Sequence, residues 1–112
     1  MLTIYHNPRC SKSRQTLQLL EENGQQVEVI EYLKTPLTRG QIEALLKALS
    51  VEPIEMMRIK EDEFKEQNLK GADNDTLIDA MVNTPKLIER PIVVKGDKAV
   101  IGRPPENVLS LI

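Results

Sequence analysis

Leu2–Tyr5 and Val27–Ile30 are two short β-prone runs with a helical stretch between them, and no other feature constrains the fold as strongly. Antiparallel strands can be joined by a tight turn, whereas a helix between two strands of one sheet returns the chain parallel. The crossover of such a βαβ unit is right-handed in nearly all cases. His6-Asn7-Pro8-Arg9 is a turn that ends the first strand. The helix is expected from about Ser11, with Leu17 and Leu20 on its inner face and Thr16 beside them. Asn23-Gly24 is its stop signal.

A helical stretch follows. Thr38-Arg39-Gly40-Gln41 matches a capping box, and Ile42, Leu45, Leu46 and Leu49 then fall at i, i+3, i+4 and i+7. Pro53 suits the first turn of another helix through Met56 and Met57. Phe64 predicts a short helix within a charged segment. Asn74 or Asp75 is expected to cap a further helix carrying Leu77, Ile78 and Met81 and closing before Pro85. The chain then changes character. Ile92, Val93 and Val94 form a strand, Lys95-Gly96-Asp97-Lys98 a turn, and Ala99-Val100-Ile101 a partner strand. Pro104-Pro105 opens a last short helix with Val108, Leu109 and Leu111.

The order βαβ, helices, ββα predicts an α/β fold, a thioredoxin-like mixed sheet with a helical insertion at about residues 37–86. At 112 residues, with no repeat or low-complexity tract, the expectation is one domain spanning 1–112. Pro91 opens the third strand, a position where a missing N–H is tolerated. In thioredoxin-like folds that position carries a cis peptide facing the active-site cysteine.

Aromatic residues make up 3% of the chain and Trp is absent, so the core must be aliphatic. A net charge of −2 gives no electrostatic case for nucleic acid or an acidic membrane surface. Any anion site must therefore be built locally from a few cations. No apolar run approaches the roughly 20 residues that cross a bilayer, and the N-terminus lacks the pattern of a secretory signal. The one cysteine permits no intrachain disulfide, and a cytoplasmic location is expected.

That cysteine, Cys10, stands between strand and helix and is flanked by Arg9, Ser11, Lys12, Ser13 and Arg14. A structural cysteine belongs among Leu and Val, as free cysteines are often buried and inert. Cys10 has hardly an apolar neighbour. At a helix N-terminus, free N–H groups and the macrodipole favour an anion. An ordinary thiol, with a pKa of about 8.5, is only ~3% ionised at neutral pH. A favourable helix terminus contributes up to ~2 kcal/mol toward the thiolate, and a nearby cation adds to it. His6, the only histidine, precedes Cys10 by four residues. It fits either a thiolate stabiliser and proton relay or an exposed turn residue.

Ser13 occupies the place of a dithiol oxidoreductase's second cysteine, so Cys10 has no internal resolving thiol. Thr16 stands where a cysteine phosphatase loop would need arginine, and a single cysteine excludes zinc sites built from cysteine pairs. What remains is a monothiol nucleophile with candidate anion-binding groups Arg58, Arg90 and Arg103. Arg90 precedes Pro91, whose turn is expected to meet Cys10; Arg103 lies in Gly102-Arg103-Pro104; Arg58 follows Met56-Met57. Spacing does not decide whether Arg58 and Arg103 converge on the thiol.

His6-Asn7-Pro8-Arg9-Cys10-Ser11-Lys12-Ser13-Arg14 resembles the catalytic loop of the glutathione/glutaredoxin-linked arsenate reductases. Ile88-Glu89-Arg90-Pro91-Ile92-Val93-Val94 and Gly102-Arg103-Pro104 are similar to that family's later signatures. Tyr32-Leu33-Lys34 with Pro36-Leu37-Thr38 fits its passage into the helical insert. The resemblance runs nearly end to end. It implies that Cys10 is the nucleophile, that Arg58, Arg90 and Arg103 bind and polarise the oxyanion, and that His6 lies near the thiol, with Ser13 and Pro91 in support.

It further implies arsenate as substrate, glutathione as co-substrate and glutaredoxin as the partner that resolves a mixed disulfide. No metal, flavin or other tightly bound cofactor is expected. Two other functions fit the same scaffold: a thiol enzyme acting on another substrate, such as a glutathionylated protein, and a transcription regulator that binds RNA polymerase. Against the second, Ser13 removes a Cys-x-x-Cys switch.

Overall fold

The computed structural model describes residues 2–112, so Met1 of the predicted 1–112 domain lies outside the described residues. The chain forms two compact units. One runs through Thr35 and resumes at Arg90–Ile112; the other is Pro36–Glu89 and contains the predicted insert.

In the first unit, β1 (Leu2–Tyr5), α1 (Ser11–Glu22) and β2 (Val27–Ile30) are followed, after the second unit, by β3 (Ile92–Lys95) and β4 (Lys98–Ile101). The sheet order is β2-β1-β3-β4. β1 runs parallel to β2 and antiparallel to β3, and β3 to β4 is antiparallel. The sheet is mixed, as expected of a thioredoxin-like fold. Burial follows position: Leu2, Ile4, Ile92 and Val93 on the central strands are sealed from solvent, whereas Val29 on edge strand β2 is 44% exposed.

Leu2, Ile4 and Val93 pack with Leu20 of α1 and with Val108 and Leu111 into one aliphatic cluster. The inner face of α1 differs from the expectation. Ser13, Thr16 and Leu20 are its buried residues, and Leu17 is half-buried against the cluster. These positions lie at i, i+3 and i+7, one helical face. That face is polar at the end nearest Cys10 and apolar further along.

Two predicted boundaries shift. Lys95 and Lys98 pair with each other, so the hairpin turn shrinks to Gly96-Asp97. Gly96, at φ +62°, supplies the positive φ that a two-residue primed turn needs. Pro105–Leu111 winds as a 3₁₀ helix. Its threefold period buries Pro105, Val108 and Leu111 and turns Leu109 outward.

The second unit holds α2 (Arg39–Leu49), α3 (Asp62–Glu66) and α4 (Asn74–Asn83). Thr38 caps α2 through the predicted box: its hydroxyl accepts the Gln41 N–H, and Gln41 returns a bond to the Thr38 N–H. The α4 cap is Asp73, whose carboxylate accepts the Thr76 N–H at 2.8 Å, so Asn74 and Asp75 fall in the first turn. All three residues are able to cap, which is why the sequence misplaced the start by a residue or two. The Pro53 element is also shorter than predicted. It is a 3₁₀ turn, Pro53–Met56, and Met57 leaves it extended to pair with Ile88. Ile42, Leu45 and Leu46 of α2 and Leu77, Ile78 and Met81 of α4 are buried, and Arg39 joins the two helices through Asp75 and Asp79, each at 2.6 Å. Among the described residues no helix is long and apolar enough to cross a membrane.

Candidate active site

The turn before α1 is built by short-range hydrogen bonds. The Asn7 side chain accepts the Arg9 N–H at 3.0 Å, the Asn7 carbonyl accepts the Cys10 N–H at 3.0 Å, and Arg14 donates to the Pro8 carbonyl at 2.8 Å. These bonds bring Cys10 to the N-cap of α1, with an extended backbone (φ −94°, ψ 122°), and its carbonyl accepts the Arg14 N–H at 3.0 Å. As a neutral thiol it makes no cap hydrogen bond.

Ionisation changes the balance. Partial burial by itself pushes the Cys10 pKa up. The Ser13 N–H, the hydrogen bond and charge of the Arg90 guanidinium, and the Lys12 N–H together outweigh burial, and the pKa falls below that of an ordinary cysteine. Helix N-terminus and cation thus act on one sulfur, as the local sequence led us to expect.

Arg90 reaches Cys10 from the entry to the strand that neighbours β1. β1 and β3 are neighbours in the sheet, so the residue entering β3 lies near the turn leaving β1. Pro91 follows Arg90 through a cis peptide and is buried. The Arg90 Nε is buried with no hydrogen-bond partner among the described residues. Arg103 is exposed and donates from Nη1 to the Arg90 carbonyl at 3.3 Å, so the two arginines are held in sequence, Arg103 on Arg90 and Arg90 on Cys10.

His6 is buried, which overturns the exposed-turn alternative. Its Nδ1 lies 2.6 Å from the Ser13 hydroxyl, which also accepts the Asn7 N–H at 3.1 Å. Burial lowers the His6 pKa, with Glu31 opposing and Arg14 adding to the fall. A neutral imidazole with an acceptor Nδ1 and a donating Ser13 hydroxyl satisfies all three groups. Ser13 therefore joins His6 to the first turn of α1, where its own N–H faces the sulfur.

Arg58 belongs to the second unit. Its Nη2 lies 3.3 Å from Glu61 and its Nε 3.8 Å from Glu89, while Nη1 is buried without a hydrogen-bond partner among the described residues. Its N–H donates to the Leu87 carbonyl at 2.7 Å. Arg58 is thus a guanidinium set among carboxylates, with Nη1 unpartnered among the described residues.

Gly102 was not singled out from the sequence, yet the arrangement depends on it. A Cβ there would stand 2.8 Å from Thr16 Oγ1 and 2.9 Å from Pro91 Cγ. The Gly102 N–H donates to the Pro91 carbonyl at 2.9 Å. The loop bearing Arg103 is therefore pressed against both α1 and the Pro91 turn. Thr16, whose hydroxyl donates to the Lys12 carbonyl at 2.8 Å, is the other half of this contact. A glycine next to an arginine after the last strand was the available signal.

A thioredoxin-like sheet with one activated thiol at its first helix, no cysteine three residues on and an arginine on the sulfur defines a monothiol protein of that fold class. Comparison with known proteins narrows this. The model of the ArsC family matches residues 5–111. The Escherichia coli K12 protein YfgD is 55% identical, covering 97% of this chain and 94% of its own. An arsenate reductase of Neisseria meningitidis serogroup A is 44% identical over 99% and 97%. A solved arsenate reductase structure from Vibrio cholerae superposes with a TM-score of 0.97 at 48% identity, covering 99% and 97% of the two chains. The chain belongs to the ArsC family.

Proposed function

We propose that this protein reduces arsenate to arsenite, with Cys10 as nucleophile and glutathione and glutaredoxin as external thiols. The carrying observation is the Arg90 guanidinium on a Cys10 thiol whose pKa lies below the ordinary value. Relatives named arsenate reductases supply the substrate.

The Cys10 thiolate attacks arsenic(V), a sulfur–arsenic bond forms, and one arsenate oxygen leaves as water after protonation. Arg90 and Arg103 bind the oxyanion and offset the charge on its oxygens, the role that the family resemblance also implies for Arg58. An external thiolate then attacks the Cys10 sulfur. The sulfur–arsenic pair remains on arsenic, which departs as arsenite, and Cys10 is left in a mixed disulfide. The two electrons come from the two thiols. Because the chain holds a single cysteine, the second thiol must be external. Glutathione fits this role, glutaredoxin then frees Cys10, and the cytoplasm is the compartment that supplies both. His6 and Ser13 hold the first turn of α1, and Pro91 seats Arg90. No step requires a metal or a bound cofactor.

Cys10→Ser should abolish glutathione- and glutaredoxin-dependent arsenate reduction while leaving the circular dichroism spectrum unchanged. A Cys10→Ser protein that keeps full activity refutes the mechanism.

A further inference from the structure

The turn that leads into Cys10 also lines a cavity of the first unit that the chemistry above does not use. It encloses about 230 Å³ between the His6–Arg9 turn on one side and Glu31, Leu33 and Lys34 on the other. The His6 N–H donates to the Ile30 carbonyl at 2.8 Å and joins the two walls. The first wall ends at the nucleophile: Arg9 and Cys10 are consecutive, so their Cα atoms are about 3.8 Å apart.

The lining is specific in its charges. Arg9 and Lys34 supply two exposed cations, Glu31 one half-buried carboxylate, and Leu33, 44% exposed, an apolar surface. Glu31 and Lys34 stand 3.4 Å apart. A simple oxyanion gains from the cations but is repelled by Glu31. An α-amino-acid zwitterion matches all three, its ammonium toward Glu31 and its carboxylate toward Arg9 and Lys34. The cavity is smaller than the roughly 300–1,000 Å³ that encloses a whole drug-sized ligand, so it suits one end of a tripeptide.

We propose that this cavity docks the γ-glutamyl end of the incoming thiol, which carries a free α-amino-acid zwitterion, and so delivers its sulfur to Cys10. The assignment rests on the reading of Cys10 as a residue that exchanges with external thiols. It makes the site selective for thiols of this class over simple alkyl thiols.

Exchange with a disulfide tests the docking without arsenate. The Cys10 thiolate attacks one sulfur of glutathione disulfide. A Cys10–glutathione bond forms as the original sulfur–sulfur bond breaks, and the second glutathione leaves as a thiolate that takes a proton from solvent. The second-order rate of Cys10 modification is followed by intact-mass spectrometry with three probes. These are glutathione disulfide, neutral hydroxyethyl disulfide as each protein's baseline, and 3,3′-dithiodipropionate, which has carboxylates but no ammonium.

The variant is Glu31→Gln/Lys34→Gln, which leaves net charge unchanged. Exposed ion pairs are individually weak, so the ratio of the glutathione-disulfide rate to the baseline should fall about three- to fivefold. The dithiodipropionate ratio should fall less. An unchanged glutathione ratio overturns the proposal, and so does an equal fall in both ratios, which marks a general charge effect. If Cys10 of the unaltered protein reacts with none of the three, the thiol-exchange reading falls together with the docking site. Reaction with hydroxyethyl disulfide but no docking dependence removes the docking site alone.

Discussion

Replacing Gly102 by alanine inserts a single methyl where three atoms already stand. The new Cβ would lie 2.8 Å from Thr16 Oγ1, 2.9 Å from Pro91 Cγ and 3.0 Å from Thr16 Cγ2. Ordinary carbon contacts are about 3.5–4.0 Å, so each is compressed by half an ångström or more. Neither neighbour yields easily. Thr16 is β-branched within α1, with its hydroxyl bonded to Lys12, and Pro91 is a ring.

Overpacking of this kind costs about 1–3 kcal/mol, which for a chain of this size lowers Tm by at least about 4 °C. Thermal denaturation followed by circular dichroism measures it. A double-mutant cycle with Thr16→Ala isolates the clash: that substitution alone costs about 1 kcal/mol for its lost hydrogen bond, and the pair should cost less than the sum. Gly40→Ala serves as a control. Its Cβ meets only Thr38 Oγ1, at 3.9 Å, so it should be neutral or stabilising by up to about 1 kcal/mol. A Gly102→Ala protein that melts within about 1 °C of the parent refutes the close approach.

The remaining predictions concern the thiol and its histidine. Arg90→Met removes the hydrogen bond and charge that help hold the Cys10 pKa down, so the pH midpoint of iodoacetamide alkylation should move upward, and alkylation at neutral pH should slow several-fold; an unmoved midpoint would mean that the guanidinium does not act on the sulfur. Burial depresses the His6 pKa in the folded state below its ordinary value of 6.5, so folding favours the neutral imidazole. The associated stability is complete above 6.5 and is lost as pH falls from there through the depressed folded value. Urea midpoints should therefore decline on acidification below 6.5, and His6→Asn, which keeps an acceptor toward Ser13, should remove that part of the slope. If the slope persists unchanged in that variant, other groups cause it.

Local signals read well wherever one residue type had one physical meaning. The capping box at Thr38, the stop at Gly24 and the period of Ile42, Leu45 and Leu46 all act within a single turn of chain, and each appears in the structure. They failed where several residues could do the same work. Asp73, Asn74 and Asp75 are all able to cap, and the structure places the cap at Asp73. Pro105, Val108 and Leu111 differ in solvent exposure from Leu109 because the segment winds three residues per turn, a choice not written in its composition.

By itself the sequence determined that a parallel βαβ unit would place Cys10 at a helix N-terminus, among cations and without a second thiol. Those properties depend on chain order and residue type. Tertiary structure decided which groups act on the sulfur: Arg90 touches it although 79 residues intervene, because β1 and β3 are paired. It also decided that His6 is buried and spends its bond on Ser13, and that Gly102 must lack a side chain. Contacts of this kind come from sheet pairing and packing, and no local pattern of residues encodes them.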